Sequence, residues 1–309
     1  MKGHEKTWST PVITEEKNFV PCNICGSNRF KPSLSCEGFS YVRCVNCGLV
    51  QMNPQPLQNE IKRRYGEGSG QDYLAYELAN EKAFLDLELL ALNDAGFEKL
   101  EKVLFTNKGA SGTNANDINA YGIYAVRVLD VGCATGNLLA FLRQRGWETT
   151  GVEISEAQAE YGRRERKLDV RKEPLEDIRF PDGYFNAVIA SHLIEHLNDP
   201  ASFVAEVYRI LAYGGRFFVT TPNIAGFQAR LFKDKWRSAI FDHLYLFSVK
   251  TLTRLLKEKG FAIEKIAVWG GLAKGSAPDS IKRLFDKAAK RFGFGDVMII
   301  RAVKKVVKQ

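Results

Sequence analysis

The stretch Val126-Arg-Val-Leu-Asp-Val-Gly-Cys-Ala-Thr-Gly136 decides the fold of this chain. Its apolar, β-branched beginning predicts a buried strand that ends near Asp130. Gly132 and Gly136 then break the pattern into a turn, and a helical pattern begins at Leu138. A strand, a glycine-rich turn and a helix bring backbone N–H groups close to a ligand in α/β proteins. The sequence therefore predicts an α/β, Rossmann-like fold with a ligand at this turn.

The acids on either side of the turn indicate which ligand it holds. Glu153 follows a second predicted strand, about 20 residues past the glycines, where an acid holds a ribose hydroxyl. A dinucleotide fingerprint needs a third glycine, but Asn137 stands there, and Ala134 replaces the middle glycine. Asp130 precedes the turn, where its charge would repel a pyrophosphate and attract an ammonium or sulfonium group. These features favour S-adenosylmethionine, which carries both cations and no phosphate.

On these residues the turn resembles the first motif of the class I S-adenosylmethionine-dependent methyltransferases, Leu-Asp-(Val/Ile)-Gly-Cys-Gly-x-Gly. The resemblance implies a sheet of seven strands whose last strand is antiparallel to the others. It also implies that the adenine meets the turn 173–177, although Pro174 replaces the acid that is usual there. The residues expected to contact the cofactor are Asp130, Gly132, Cys133, Ala134, Gly136, Glu153, Ile154, Leu175, Glu176 and Ser191.

Two cysteine pairs near the N-terminus, Cys22-Asn-Ile-Cys25 and Cys44-Val-Asn-Cys47, predict a zinc ribbon. Four thiolates leave no open coordination position, so the zinc ion is expected to be structural. Such a small module buries little apolar surface, and zinc binding would supply free energy of folding. The alternative is four thiols without a metal. Cys36, between the pairs, is predicted to be a packing thiol.

Composition shifts along the chain predict five regions. They are a polar tail (1–20), the ribbon (21–56), a helical connector over the cofactor (57–106), a flexible loop (107–122) and a methyltransferase domain (123–309). Within the last region, residues 222–249 form an insertion that is longer than a normal loop, which is typical of functional segments. Residues 279–292 predict a basic amphipathic helix.

A histidine-rich run, Ser191-His-Leu-Ile-Glu-His-Leu, follows the predicted fourth strand. It resembles the subset of methyltransferases that includes the ubiquinone O-methyltransferases, and it lies where open α/β sheets bind ligands. An inverted zinc-protease motif would need this run inside a helix. We expect His192 to line the methyl-transfer site, whereas Glu195 and His196 are expected to cap the turn.

The insertion carries Trp236 and then the run Asp242-His-Leu-Tyr-Leu-Phe-Ser248, which resembles a family segment that closes over the acceptor. Histidine suits the role of general base near neutral pH. His243 is therefore the first candidate for the base, with Asp242 or Tyr245 to orient its ring. The alternative is that His243 holds the lid by hydrogen bonds. The catalytic candidates are thus His243, His192 and Tyr245.

The net charge of +8 is unevenly spread, with +4 on residues 1–65, −3 on 66–273 and +7 on 274–309. A nucleic-acid enzyme usually has a basic stripe across its central face. The order of ribbon, domain and lid resembles methyltransferases that modify deoxysugars or surface polysaccharides. We therefore expect a small-molecule or glycan acceptor, such as a lipid- or nucleotide-linked sugar. The alternatives are a zinc-ribbon RNA base methyltransferase and a non-catalytic cofactor-binding scaffold.

Residues 1–20 are polar and do not resemble a signal peptide, and no apolar stretch reaches the ~18 residues that span a bilayer. A cytoplasmic protein without disulfides is therefore expected. The basic helix over 279–292 would allow contact with the inner face of a membrane. The alternative is a helix packed on the domain with a solvated basic side. The sequence predicts no oligomeric state.

Overall fold

The computed structural model describes residues 18–57, 69–106, 126–271 and 279–305. Most of the predicted tail and the whole of the loop 107–122 lie outside these residues. The described strands are β1 (Phe30–Cys36), β2 (Phe39–Cys44), β3 (Val50–Met52), β4 (Arg127–Val131), β5 (Glu148–Val152), β6 (Asp169–Arg171), β7 (Phe185–Ser191), β8 (Leu211–Pro222), β9 (Tyr245–Leu246), β10 (Phe261–Trp269) and β11 (Val297–Lys304).

Helices connect most of these strands. They are α1 (Ser69–Asp94), α2 (Phe97–Thr106), α3 (Asn137–Gln144), α4 (Glu156–Arg164), α5 (Leu175–Ile178), α6 (Pro200–Ile210), α7 (Phe227–Phe232), α8 (Val249–Glu258) and α9 (Asp279–Phe292). A 3-10 turn, Lys233–Lys235, follows α7. Among the described residues, no helix is long and apolar enough to cross a membrane.

The large sheet has seven strands in the order β10-β11-β8-β7-β4-β5-β6. Strands β8, β7, β4, β5 and β6 are parallel, and the last strand, β11, is antiparallel to both of its neighbours. This arrangement confirms the predicted seven-stranded α/β fold. Strand order reverses beside β4, which is where open α/β sheets bind ligands.

Alternate residues of the central strands face opposite layers of the core. Leu129 and Val131 pack on the same side as α6, α8 and the cysteine-rich segment. Val128 packs on the other side with α1, α2 and α3, where the rings of Phe97 and Trp147 stack at 5.4 Å. The sheet is therefore covered on both faces, so the carboxyl ends of its strands are left to form a site.

The small sheet has the order β1-β2-β3-β9. Its first three strands form an antiparallel meander within the predicted ribbon, but β9 belongs to the insertion. Val50 pairs with Leu246 and Gln51 with Tyr245. The hydroxyl of Tyr41 on β2 also lies 2.7 Å from the Ile240 carbonyl and 2.8 Å from the His243 carbonyl. The ribbon and the insertion thus form one structural unit.

Helix α9 packs against the large sheet through its C-terminal half. Ala289 is buried, and the Asp286 carboxylate accepts a hydrogen bond of 2.8 Å from the Gly271 N–H. Lys290 forms an ion pair with Asp94 of α1. These contacts agree with the interpretation of a helix packed on the domain, with Lys287 and Arg291 in solvent.

Candidate active site

The glycine-rich turn after β4 is held in an unusual backbone conformation. Gly132 and Gly136 both have φ of 77°, and Ala134 has φ of 50°, which is uncommon for a residue with a Cβ atom. The N–H groups of Gly132 and Cys133 donate to the carbonyl of Val152 on β5, at 2.8 and 3.1 Å. The turn is thus fixed against the end of the neighbouring strand, where the second predicted acid follows.

Glu153 connects the two parts of the predicted cofactor site. One of its carboxylate oxygens accepts from the Ala134 N–H at 3.0 Å, and the other accepts from the Ser155 N–H at 2.8 Å. A carboxylate has about four acceptor positions, so each oxygen can accept one more hydrogen bond, as two ribose hydroxyls require. The next side chain, Ile154, is 52% exposed and offers an apolar surface beside them.

Helix α1 supplies acids to this site that the sequence interpretation missed. Glu77 is buried and accepts from both the N–H and the hydroxyl of Thr135, at 2.9 and 2.7 Å. Glu81 pairs with Arg166, and Glu88 receives a hydrogen bond from Ser191. These three glutamates share one face of α1 because they are spaced by 4 and 7 positions. That acidic stripe was the signal that could have identified them.

Carboxyl groups cluster at this site without a described cation beside Asp130. Burial, together with the nearby Glu88 and Glu153 carboxyls, raises the pKa of Asp130 well above its usual value. Burial also raises the pKa of Glu153, Glu88 and Glu77. A positively charged ligand would relieve this repulsion. The ammonium and sulfonium groups of S-adenosylmethionine fit this requirement, and a pyrophosphate does not.

The remaining predicted cofactor residues lie around the same turn. Cys133 is buried, and a Cβ atom on Gly151 would lie 2.5 Å from its sulfur, so the thiol fills the space over β5. Leu175 is buried at the start of α5, whereas Glu176 is exposed. The structure therefore gives the Glu176 side chain no described contact with the turn.

A second group of polar residues lies at the end of β7. His192 has φ of 52°, and its N–H donates to the Thr220 carbonyl at 2.9 Å. Its side chain is 52% exposed, with Nδ1 3.4 Å from Oε1 of Glu195. Glu195 is only 1% exposed, and its other oxygen accepts from the Thr221 hydroxyl at 2.9 Å. Burial opposes ionisation of Glu195. Three neighbouring histidines outweigh this effect and lower the pKa of Glu195 to about 2; they are His192, His196 and His243.

His243 lies in the insertion, directly behind this pair. It is 8% exposed, and its Nδ1 lies 2.8 Å from the Ser238 carbonyl. Burial is the main cause that lowers the pKa of His243 to about 4. Its ring meets that of His196 edge to face, with 4.6 Å between centroids. The structure thus brings His192, Glu195, His196 and His243 together, although the sequence interpretation gave two of them only a capping role.

Tyr245 is placed differently from the two histidine candidates. Its hydroxyl donates to the Asn198 carbonyl at 2.9 Å, and its backbone N–H donates to the Glu195 carbonyl at 3.1 Å. The side chain is buried, and burial raises its pKa to about 12. These contacts are those of a residue that joins β9 to the segment after β7.

The four ribbon cysteines converge at a separate place. Their sulfur atoms all lie within 4.8 Å of one another, with 3.3 Å between Cys22 and Cys47 and 3.5 Å between Cys25 and Cys44. Tetrahedral zinc with bonds of about 2.3 Å would hold thiolates about 3.8 Å apart. Gly26 and Gly48 donate to the carbonyls of Cys22 and Cys44, which closes both turns. The donor set therefore fits a structural zinc ion.

Comparison with protein families agrees with this geometry. A family model described as a methyltransferase domain matches residues 79–266, which is more than half of the chain. The chain belongs to this methyltransferase family. The match includes the turn, Glu153 and the histidine-rich segment after β7, and it confirms the family that the turn predicted.

Curated relatives of this methyltransferase match part of its length. A probable S-adenosylmethionine-dependent methyltransferase from Mycolicibacterium smegmatis is 33% identical over 141 residues, covering 44% of this chain and 52% of the relative. A ubiquinone biosynthesis O-methyltransferase from Acinetobacter baumannii is 31% identical over 114 residues, covering 35% and 48%. The chain thus matches about half of the length of these relatives.

Solved structures include a methyltransferase from Thermotoga maritima, described as a possible histamine N-methyltransferase. It is 23% identical and covers 75% of this chain and 99% of its own, with a TM-score of 0.48.

Proposed function

We propose that this methyltransferase transfers the methyl group of S-adenosylmethionine to a hydroxyl group of a small-molecule or glycan acceptor. The observation that carries the proposal is the pair of adjacent sites on one edge of the sheet. One is a turn surrounded by carboxyls, which suits a cationic cofactor, and the other is His192, which is exposed beside it. The name of the ubiquinone O-methyltransferase relative supports a hydroxyl acceptor.

The residues around the turn would bind and orient the cofactor. Glu153 would accept hydrogen bonds from the ribose, and Asp130 and Glu88 would surround the ammonium end with negative charge. When bound, S-adenosylmethionine supplies an electrophilic methyl group on a sulfonium leaving group. Since the leaving group is already activated, the protein mainly aligns the acceptor and accepts its proton.

His192 is better placed than His243 to accept that proton. Its side chain is half exposed and has the buried Glu195 carboxylate behind it, which would stabilise the imidazolium. His243 is almost fully buried, and its Nδ1 is held by the Ser238 carbonyl. We therefore assign the role of proton acceptor to His192. Tyr245 is assigned a supporting role in the insertion.

Replacing His192 by glutamine should reduce turnover about 100-fold, because general base catalysis contributes about 10²- to 10⁴-fold. The affinity for S-adenosylmethionine, measured by calorimetry, should stay within about threefold, since His192 has no described contact with Glu153 or the turn. His4→Gln is the matched control, because the other three histidines of the chain all belong to the described site. Unchanged turnover of the His192 variant would remove it from the mechanism.

The acceptor class can be tested directly with labelled S-adenosylmethionine. The protein is incubated separately with nucleotide sugars, lipid-linked sugars, phenolic small molecules and total RNA. We expect label in a sugar or small-molecule fraction and none in RNA. Label in RNA, with binding that falls steeply with salt, would instead support an RNA methyltransferase.

We also propose that the four ribbon cysteines bind one structural zinc ion. The ribbon sheet has only short strands, and its buried core includes the cysteines themselves. Metal binding would therefore contribute free energy of folding that apolar burial alone does not supply.

A further inference from the structure

Three side chains next to His192 form a cluster of metal-ligating type. The ligand atoms of Glu195, His196 and His243 all lie within 4.8 Å of one another. Glu195 and His243 are buried, and His196 is half-buried. Glu195 and His196 follow β7, whereas His243 comes from the insertion, so the tertiary structure assembles the cluster from two segments.

Both imidazole rings are oriented as metal ligands usually are. Nδ1 of His243 lies 2.8 Å from the Ser238 carbonyl, and Nδ1 of His196 lies 2.9 Å from the Asp242 carbonyl. A carbonyl only accepts, so Nδ1 carries the proton in each ring and Nε2 carries the lone pair. Metal-binding histidines commonly donate their other ring N–H to a backbone carbonyl, which fixes the tautomer and the ring orientation.

Glu195 supplies an independent observation. Its Oε2 atom accepts from Thr221, but its Oε1 atom is buried without a donor in hydrogen-bond geometry among the described residues. The nearest ring nitrogen of His192 lies 3.4 Å from it. A buried carboxylate oxygen is costly unless it is paired or coordinates a metal. Besides the ion pair with His192, a bound metal ion would give this oxygen a second cationic partner.

We propose that Glu195, His196 and His243 bind one divalent transition-metal ion, separate from the four-cysteine site. Two imidazole nitrogens and one carboxylate oxygen suit ions such as Zn²⁺, Fe²⁺ or Co²⁺, whereas Mg²⁺ and Ca²⁺ prefer oxygen ligands. Three protein ligands leave coordination positions open. Because Nδ1 of His192 lies 3.4 Å from Glu195, an acceptor that reaches His192 would also come close to the ion.

The role of this ion rests on the proposed function. The ion would polarise the acceptor hydroxyl and favour loss of its proton to His192. An oxygen lone pair then forms the new O–CH₃ bond while the S–CH₃ bond breaks. The electron pair of that bond stays on sulfur, which becomes a neutral thioether. The ion keeps its oxidation state, so no external oxidant or reductant is needed.

The test measures metal binding without reference to activity. The full chain is prepared with zinc and dialysed against a mild chelator until one zinc ion remains, in the ribbon. It is then titrated with Co²⁺ and followed by absorption and by dialysis. We expect one Co²⁺ per chain, with weak visible bands typical of nitrogen and oxygen ligands and without thiolate charge-transfer bands.

Two variants locate the ion. His243→Asn retains a group that can bond the Ser238 carbonyl but removes Nε2, and Glu195→Gln removes the anionic ligand with little change of shape. Each should weaken Co²⁺ binding at least 100-fold, whereas His4→Asn should bind like the wild type. Melting temperatures identify a variant that fails to fold. In that case the Co²⁺ binding of the other variant decides whether the metal site exists.

The outcomes separate the two proposals. Absence of bound Co²⁺, or equal binding by all variants, overturns the metal site, and the proposed function stands if methyl transfer continues. Co²⁺ binding that depends on Glu195 and His243 supports the metal site, even if no acceptor is methylated and the proposed function fails.

Discussion

Replacing Glu153 by alanine is expected to weaken S-adenosylmethionine binding about 10³-fold. The carboxylate would accept two hydrogen bonds from the ribose, and hydrogen bonds to charged groups contribute about 1.5–3 kcal/mol each. A loss of about 4 kcal/mol corresponds to about three orders of magnitude in the dissociation constant. The same carboxylate holds the N–H groups of Ala134 and Ser155, so its loss also loosens the turn. Calorimetric titration with the cofactor measures the effect.

Glu148→Ala is the matched control for this experiment. Glu148 begins β5, the strand that ends just before Glu153, but its carboxylate is exposed and pairs with Arg127 at 3.3 Å, away from the turn. This control should change the affinity less than about threefold, since surface ion pairs contribute little. Glu153→Gln should have an intermediate affinity because it keeps one acceptor. An affinity of Glu153→Ala equal to that of the wild type would exclude Glu153 from ribose binding.

Removing the zinc ion proposed for the ribbon should reduce turnover at least about 10²-fold while cofactor affinity changes little. The double variant Cys22→Ser/Cys44→Ser removes two of the four thiolates. Without the ion, β3 and Tyr41 lose the structure that holds β9 and the Ile240 and His243 carbonyls. Positioned groups account for a large part of catalysis, and small displacements cost about 10²-fold. The zinc content per chain, the initial rate and the cofactor affinity are measured on the same sample.

The double variant should keep its affinity for the cofactor because the glycine-rich turn packs in a different core cluster from the ribbon. Cys133 of the turn packs with Leu139 and Ala159 in a core cluster that contains no described ribbon residue. Cys36→Ser is the matched control, since Cys36 lies on β1 outside the four-sulfur cluster. It should keep the zinc ion and most of the activity. Equal loss of cofactor binding and turnover in the double variant would mean that the ribbon supports the whole domain.

Local patterns explain why the sheet and the turn could be predicted from the sequence. Strand β4, the positive φ of Gly132 and Gly136, and the acid after β5 all depend on residues close in the chain. The same is true of the Cys-x-x-Cys pairs. In each case one short segment contains both the functional residues and the glycines or other turn residues that position them. The local structure can therefore be predicted without tertiary contacts.

The contacts that complete the site are long-range and were not predicted. Strand β9 has two residues, too few for any periodicity, and it pairs with β3 only because the ribbon packs on the insertion. Glu77 reaches Thr135 from α1, whose apolar spacing predicts a helix but not which residues its acidic face contacts. The meeting of His196 with His243 likewise depends on how the insertion folds back, which neither segment specifies alone.

The order of strands in the small sheet also affects how the chain is synthesised. Strands β1 to β3 leave the ribosome about 190 residues before β9. At about 5–20 residues per second, β3 has an open edge for roughly 10–40 s. Open edges invite pairing with other chains. The nascent ribbon is therefore exposed to pairing with other chains during this time. The exposure ends only when β9, in the C-terminal half of the chain, is synthesised and pairs with β3.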